Sequence, residues 1–268
     1  MRTALSFGCS GAALAATLDA APGATGLLIV SGGNEIRSGA HRGMAMLAAR
    51  IAAAGHPVLR FDRRGVGDSE GVNGGFESSR DDIVAALAAF RTACPAVTRI
   101  VAFGNCDAAS ALALHQPLGA DALVLANPWT IEMVADGTPA LPPASAIRAR
   151  YWQRLRDPAS LLRLLRGEVD LGKLTRGLAK LGLRGPALPQ GSLGARVTTA
   201  ITAAAVPVTI LLATGDRTAQ AFAEHWARVD DAAPARVTVA QLASAGHSFA
   251  GDDGEWLVEH LLRVLANP

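Results

Sequence analysis

The stretch RIVAFGNCDAASALALH, residues 99–115, decides the fold. Residues 99–103 are an apolar run with the length of a buried strand, and Ala108 to His115 has the composition of a helix. Residues 104–107 alone join the two, so the chain must turn sharply between them. Gly104 and Ala108 are small enough to permit such a turn on either side of Cys106. The stretch therefore predicts a strand, a tight turn and a helix, with Cys106 at the turn.

The same alternation continues in both directions from this stretch. The pattern predicts further strands around residues 2–9 and at 26–30, 57–62, 122–126, 206–213 and 236–239, and helices at 43–54, 81–92 and 254–266. Continuous apolar strands that alternate with helices are typical of a mostly parallel sheet with helices on both faces. Ligand sites in such sheets lie beyond the carboxyl ends of the strands, so functional residues are expected directly after each strand.

Three residues in such positions form a candidate catalytic triad. Cys106 has the nucleophile position of the pattern G-x-S-x-G, with cysteine in place of serine and Ala108 in place of the last glycine. Asp216 follows the strand at 206–213, and His247 follows the last strand. Nucleophile, acid and histidine occur in the order of an α/β-hydrolase triad. Each alone is also explained as a core cysteine, a turn aspartate or a surface histidine, but their common placement favours catalysis.

Two backbone segments are candidates for an oxyanion hole. Ser31-Gly32-Gly33-Asn34 follows the strand at 26–30, where hydrolases of this fold place one N–H donor. The second donor belongs to the residue after the nucleophile, which is Asp107. The expected donors are therefore Gly33, or Asn34, together with Asp107. A plain glycine turn is the alternative for the first segment.

A polar, basic loop at residues 35–43 follows this segment. Arg37, His41 and Arg42 are candidate ligands for a carboxylate or phosphate of the substrate. The alternative is a solvated loop whose arginines pair with nearby acids, and the sequence leaves both interpretations open.

Residues 130–200 interrupt the alternation of strands and helices. Prolines at 139, 142 and 143 are followed by helical patterns at 144–155, 158–166 and 171–181. So long an insertion between strands needs packing of its own, which favours a helical lid over the site. The predicted organisation is an α/β-hydrolase core at 1–129 and 201–268 with a lid at 130–200. Ordinary surface helices without a gating role are the alternative.

Basic residues outnumber acidic ones within this insertion, between Arg148 and Arg184. Because they alternate with leucines, one interpretation is peripheral contact with an anionic amphiphile or an anionic membrane surface. The other is a set of solvated helix faces. The sequence favours the solvated helix faces.

Composition limits the remaining functional classes. The 268 residues are half hydrophobic, which is enough for one substantial core, and a formal net charge of +2 gives no argument for a nucleic-acid partner. Three cysteines form neither a disulfide framework nor a spaced metal cluster. No stretch approaches the ~20 apolar residues of a membrane helix. We expect a cytoplasmic protein that needs no metal or cofactor; the sequence does not indicate an oligomeric state.

Several segments together resemble one particular family. The residues that carry the likeness are Leu28 to Arg37, Phe61 to Gly71, Phe103 to Asp107 and His247 to Phe249. They resemble the bacterial exosortase A system-associated hydrolase 1 family, within the α/β-hydrolase superfamily. The resemblance implies a setting near exopolysaccharide and protein-sorting systems and does not name a substrate.

These observations predict a hydrolase that cleaves an ester or thioester of a small-molecule acyl substrate through an acyl-cysteine on Cys106. An acyl-cysteine is itself a thioester and can pass its acyl group to another acceptor, so an acyltransferase is an alternative. A catalytically inactive hydrolase fold used for binding or scaffolding is a second alternative.

Overall fold

A mostly parallel sheet of eight strands runs through the part of the chain that the computed structural model describes, residues 1–132, 191–229 and 232–267. The spatial order is β1-β2-β4-β3-β5-β6-β7-β8. Strands β1 and β2 are antiparallel to each other, β2 is antiparallel to β4, and the remaining pairs are parallel. The strands are β1 (Arg2–Cys9), β2 (Ala12–Asp19), β3 (Thr25–Val30), β4 (Val58–Phe61), β5 (Arg99–Asn105), β6 (Ala122–Ala126), β7 (Val208–Ala213) and β8 (Val237–Leu242).

Helices cover both faces of this sheet. One face packs against α2, α3, α4 and α5, and the other packs against α1 and α6. The helices are α1 (Gly43–Ala53), α2 (Arg80–Ala93), α3 (Asp107–Leu114), α4 (Leu193–Ala203), α5 (Arg217–Trp226) and α6 (Asp253–Ala266). Short 3₁₀ turns at Ala40–Arg42 and Phe76–Ser78 precede α1 and α2.

The central strand β3 shows why this arrangement is stable. Leu28 belongs to the core on the α2 side and Ile29 to the core on the α1 side, because successive side chains of a strand point to opposite faces. Both are fully buried. Burying one such side chain contributes roughly 1.5–3 kcal/mol, so a strand that is apolar on both faces is stable only where helices cover both.

The α/β-hydrolase fold predicted from the sequence is confirmed. Strand β2 and helices α4 and α5 were not predicted as separate elements. Residues 193–200 of the predicted lid lie in α4, where Val197 is fully buried in the core beside α3. Residues 133–190, which include the predicted lid helices and their basic residues, lie outside the described residues.

Candidate active site

The turn between β5 and α3 holds Cys106 in an unusual backbone conformation. Its φ and ψ are 63° and −128°, a region that residues with a side chain rarely adopt and that costs of order 1–3 kcal/mol. The surroundings hold it there: the Cys106 N–H donates to the carbonyl of Ala126 at 3.0 Å, and the Trp129 N–H donates to the Cys106 carbonyl at 3.1 Å. Cys106 thus projects from the carboxyl edge of the sheet, at the N-terminus of α3.

Gly104 shows why small residues flank this turn. A Cβ added at Gly104 would lie 2.7 Å from the backbone carbonyl carbon of Ala108, closer than real Cβ atoms come to such an atom. The strand and the helix therefore approach so closely that position 104 has no room for a side chain. This contact accounts for the small residues that the sequence places on both sides of Cys106.

Asp216 lies directly after β7 and begins α5. Its Oδ2 accepts the Ala219 N–H at 3.0 Å, which is an N-cap interaction, and lies 3.1 Å from Nδ1 of His247. Burial by itself raises the pKa of Asp216, but the hydrogen bonds from His247 and from the backbone N–H of Ala219 outweigh burial, and the pKa lies below its ordinary value. Asp216 is therefore a carboxylate that fixes the orientation of His247.

The loop after β8 carries His247, and two asparagines donate hydrogen bonds to the backbone of this loop. Nδ2 of Asn105 donates to the His247 carbonyl at 3.1 Å, and Nδ2 of Asn127 donates to it at 3.0 Å. Asn127 is fully buried, and its Oδ1 accepts the N–H of Ala213, the last residue of β7. Asn127 thus ties the strand that carries the acid to the loop that carries the histidine.

Cys106, His247 and Asp216 are brought together by the fold. The pKa of His247 is raised from 6.5 to about 10, first by its hydrogen bond to Asp216 and second by a hydrogen bond to Cys106, while burial opposes the rise. An imidazole with this pKa is protonated near neutral pH, so the geometry favours an imidazolium beside the sulfur. Such a partner stabilises a thiolate, the form in which cysteine is nucleophilic.

A small cavity of about 100 Å³ opens at the sulfur. Within the described residues, it is bordered on one side by the segment after β3 and on the other by the nucleophile turn and the histidine. The Ser31 hydroxyl in its wall is buried and has no hydrogen-bond partner among the described residues. The lining residues are Val30, Ser31, Gly32, Gly33, Glu35, Met44, Asn105, Cys106 and His247.

Of the three predicted oxyanion-hole residues, Gly33 lines the cavity, Asp107 is the first residue of α3, and Asn34 is not among the described residues that line the cavity. Gly33 lines the cavity, but its N–H donates to Oδ1 of Asp107. The N–H of Asp107 is at the first position of α3, where helical N–H groups lack a partner within the helix. Asn34 is exposed, and its Oδ1 accepts a hydrogen bond from Asn73 rather than bordering the cavity.

The three candidate residues of the basic loop do not line the cavity among the described residues. Arg37 forms ion pairs with Asp62 and with Asp68, and Nε of Arg37 donates to the Thr17 hydroxyl. His41 and Arg42 are exposed. None of these three basic residues is among the described residues that line the cavity. A role for Arg37, His41 or Arg42 in substrate binding therefore stays a prediction.

Several residues around the site were not singled out from the sequence. Asn127 directly follows β6, so the rule that functional residues follow strand ends would have found it. Glu35 and Met44 line the cavity from loop and helix positions that carry no such signal. Arg63 contacts the Gly33 carbonyl from the turn after β4, a contact that depends on the packing of two distant segments.

Two further findings concern metal-ligand groups and membrane-spanning helices among the described residues. Within residues 1–132, 191–229 and 232–267, no three His, Cys, Asp or Glu side chains are grouped so that they could hold a metal ion. No helix within the same ranges is long and apolar enough to cross a membrane.

The fold and the strand-end site define an α/β-hydrolase, and comparison with known proteins gives the family. A profile of the alpha/beta hydrolase family matches residues 27–260, and the chain belongs to that family. A comparison with curated protein sequences gives no match.

Solved structures with the same fold are distant in sequence. An esterase from Pyrococcus furiosus is 14% identical with a TM-score of 0.65, over 99% of this chain and 90% of that chain. An alpha/beta hydrolase from Penicillium is 16% identical with a TM-score of 0.64, over 99% and 98%. A thioesterase domain from the curacin biosynthetic pathway is 15% identical with a TM-score of 0.58, over 98% and 99%. At these identities the likeness establishes the fold alone.

Proposed function

We propose that this protein hydrolyses an ester or thioester of a small-molecule acyl substrate through an acyl-enzyme on Cys106. The observation that carries the proposal is the arrangement of Cys106, His247 and Asp216: a cysteine in a strained strand-to-helix turn shares a cavity with a histidine that a buried carboxylate orients. The esterase and the thioesterase domain of the same fold are consistent with this reaction class.

In the first step, the thiolate of Cys106 attacks the carbonyl carbon. The new C–S bond forms as the carbonyl π electrons move to oxygen, and backbone N–H groups at the site stabilise that oxyanion. When the tetrahedral intermediate collapses, the bond to the leaving alcohol or thiol breaks. The leaving group takes the proton from His247, and the acyl-cysteine remains.

In the second step, His247 removes a proton from water, and the resulting hydroxide attacks the thioester carbonyl. Collapse releases the carboxylic acid and returns the sulfur beside a protonated His247. The same acyl-cysteine would react with an amine or alcohol if the site held one. Product analysis with added acceptors therefore separates hydrolysis from acyl transfer.

Cysteine reactivity tests the proposal because the chain contains its own controls. Burial raises the pKa of the Cys94 thiol, and burial together with a hydrogen bond to Asp82 raises the pKa of Cys9. Both thiols should therefore react slowly with iodoacetamide near neutral pH. We expect Cys106 to be labelled first, as located by peptide mass spectrometry.

A pair of histidine variants makes this test specific. His247→Ala should slow labelling of Cys106 at least tenfold at pH 7, because the thiolate loses its imidazolium partner. His260→Ala removes a histidine on α6 that bonds within its own helix, and should label like the wild type. Equal labelling of the cysteines, or of the two variants, would contradict a catalytic thiolate and favour an inactive scaffold.

The setting of the reaction is part of the same proposal. A place beside an exopolysaccharide or protein-sorting export system rests only on the resemblance of the sequence segments. A cytoplasmic location rests on the cysteine content and the lack of a long apolar stretch in the sequence.

A further inference from the structure

The side chain of Asp107 occupies a hydrogen-bond donor that the proposed reaction needs. Gly33 is exposed at the cavity, and its N–H is directed at Oδ1 of Asp107, 2.5 Å away. An oxyanion bound at Gly33 would have to accept the hydrogen bond from this same N–H. The donor expected for the oxyanion is therefore already used by a carboxylate of the protein.

The position of this carboxylate is beside the nucleophile. A Cβ built on Gly32 would lie 2.9 Å from Oδ1 of Asp107 and 3.4 Å from Cβ of Cys106. The carboxylate oxygen and the nucleophilic residue thus border the same glycine. An acyl group bound to the sulfur would bring its carbonyl oxygen into this region.

Arg63 forms an ion pair with the Asp107 carboxylate. Its Nη2 donates to the Gly33 carbonyl and lies 3.5 Å from Oδ2 of Asp107. The Arg63 side chain is only 5% exposed and that of Asp107 is 15% exposed, so water screens this pair weakly. Nη1 of Arg63 is buried and has no partner among the described residues. The Asp107 carboxylate is therefore the anion that Arg63 faces.

We propose that Asp107 determines which substrates acylate Cys106, because its carboxylate competes with the oxyanion for the Gly33 N–H. This inference rests on the proposed function. Two negative oxygens cannot share one N–H without strong repulsion, so acylation requires the Asp107 side chain to turn away. The binding energy from the other contacts of a large substrate can offset the cost of that displacement, whereas a small activated ester makes few such contacts.

The experiment compares two reactions of the same thiol. Iodoacetamide alkylates Cys106 without forming an oxyanion, whereas p-nitrophenyl acetate acylates it through one. The ratio of the acylation to the alkylation rate constant cancels the thiolate fraction and reports the oxyanion site. The ratio is measured for wild type, Asp107→Ala, Asp107→Asn and the control Asp81→Ala, which removes an exposed carboxylate on α2.

Asp107→Ala should raise the ratio at least tenfold, since one oxyanion-hole donor is worth about 10²–10³ in rate. Asp107→Asn, which keeps the size but not the charge, should raise it by about threefold or more. Asp81→Ala should leave it unchanged. If circular dichroism shows that Asp107→Ala does not fold, the ratio measured for Asp107→Asn alone tests the proposal.

Two failures have different meanings. If Cys106 is alkylated but neither Asp107 variant raises the ratio, Asp107 only positions the turn, and this inference is overturned while the proposed function stands. If Cys106 is not preferentially alkylated in the wild type, the proposed function fails and this inference fails with it.

Discussion

Replacing Asp216 by asparagine would remove the charge that keeps His247 protonated while preserving the start of α5. Oδ2 of Asp216 both contacts Nδ1 of His247 and accepts the Ala219 N–H. Asparagine and aspartate are about equally good N-cap residues, so the helix keeps its cap. The variant therefore removes the ion pair while keeping the helix cap.

The size of the effect follows from the pKa of His247. The rise from 6.5 to about 10 would correspond to about 5 kcal/mol if the ring were shielded from water. The His247 side chain is 38% exposed, so solvent screening reduces that energy, and Cys106 supplies part of it. We assign about 1–2 kcal/mol to Asp216, which predicts that the His247 pKa falls by about one unit in Asp216→Asn.

The pH dependence has a definite sign. Because the pKa of His247 in the folded protein lies above its unfolded value, the stabilisation is fully present below pH 6.5 and is lost as the pH rises through about 10. The difference in free energy of unfolding between wild type and Asp216→Asn should therefore be largest near pH 6 and decrease toward pH 10. Urea unfolding at pH 6, 8 and 10 measures this difference.

NMR titration of the His247 ring gives the pKa directly. Asp81→Asn on the exposed face of α2 is the matched control. It should change neither the His247 pKa nor the pH dependence of the free energy of unfolding. An unchanged His247 pKa in Asp216→Asn, or a stability difference that grows with pH, would refute the assignment of Asp216 as the orienting acid.

Three further predictions concern the scaffold around the site, each measured by urea unfolding at pH 7. Asn127→Ala should lower the free energy of unfolding by about 1–3 kcal/mol, since the buried N–H of Ala213 loses its partner and the His247 carbonyl keeps only the hydrogen bond from Asn105; a loss under about 0.5 kcal/mol would contradict this. Gly104→Ala should cost at least about 2 kcal/mol through its clash with α3, whereas Gly8→Ala, which has open space, should stay within about 0.5 kcal/mol; equal costs would argue against the clash. Arg37→Met should cost about 2–4 kcal/mol because fully buried Asp62 loses its ionic partner, and an unchanged stability would mean that the pair is dispensable.

The order of strands and helices was largely predictable because a parallel sheet covered on both faces needs continuous apolar strands. β3 and β5 have that pattern, and their predicted starts or ends lie within two residues of the observed ones. β2 escaped prediction because its sequence, Ala-Ala-Leu-Ala-Ala-Thr-Leu-Asp, is as typical of a helix as of a strand. Only its pairing with β1 and β4 makes it extended.

The site was predictable where chemistry depends on position along the chain. Cys106, Asp216 and His247 each follow a strand, and parallel strands bring their carboxyl ends to one edge. The side-chain partners were not predictable. Arg37 pairs with Asp62 after β4 and Thr17 in β2, and Asp107 reaches Gly33 after β3. These partners are distant in sequence, and their directions depend on packing.

The residue after the nucleophile explains how such a site can be reactive and selective together. In the proposed mechanism, His247, which Asp216 orients, stabilises a thiolate at Cys106. Moving charge from sulfur to the carbonyl oxygen needs the Gly33 N–H, which Asp107 occupies. In the proposed mechanism, cysteine permits this separation because a thiol can lose its proton before attack, whereas a serine hydroxyl loses its proton only as it attacks. The Asp107 carboxylate opposes the second event directly, so a reactive sulfur need not acylate with every ester that reaches it.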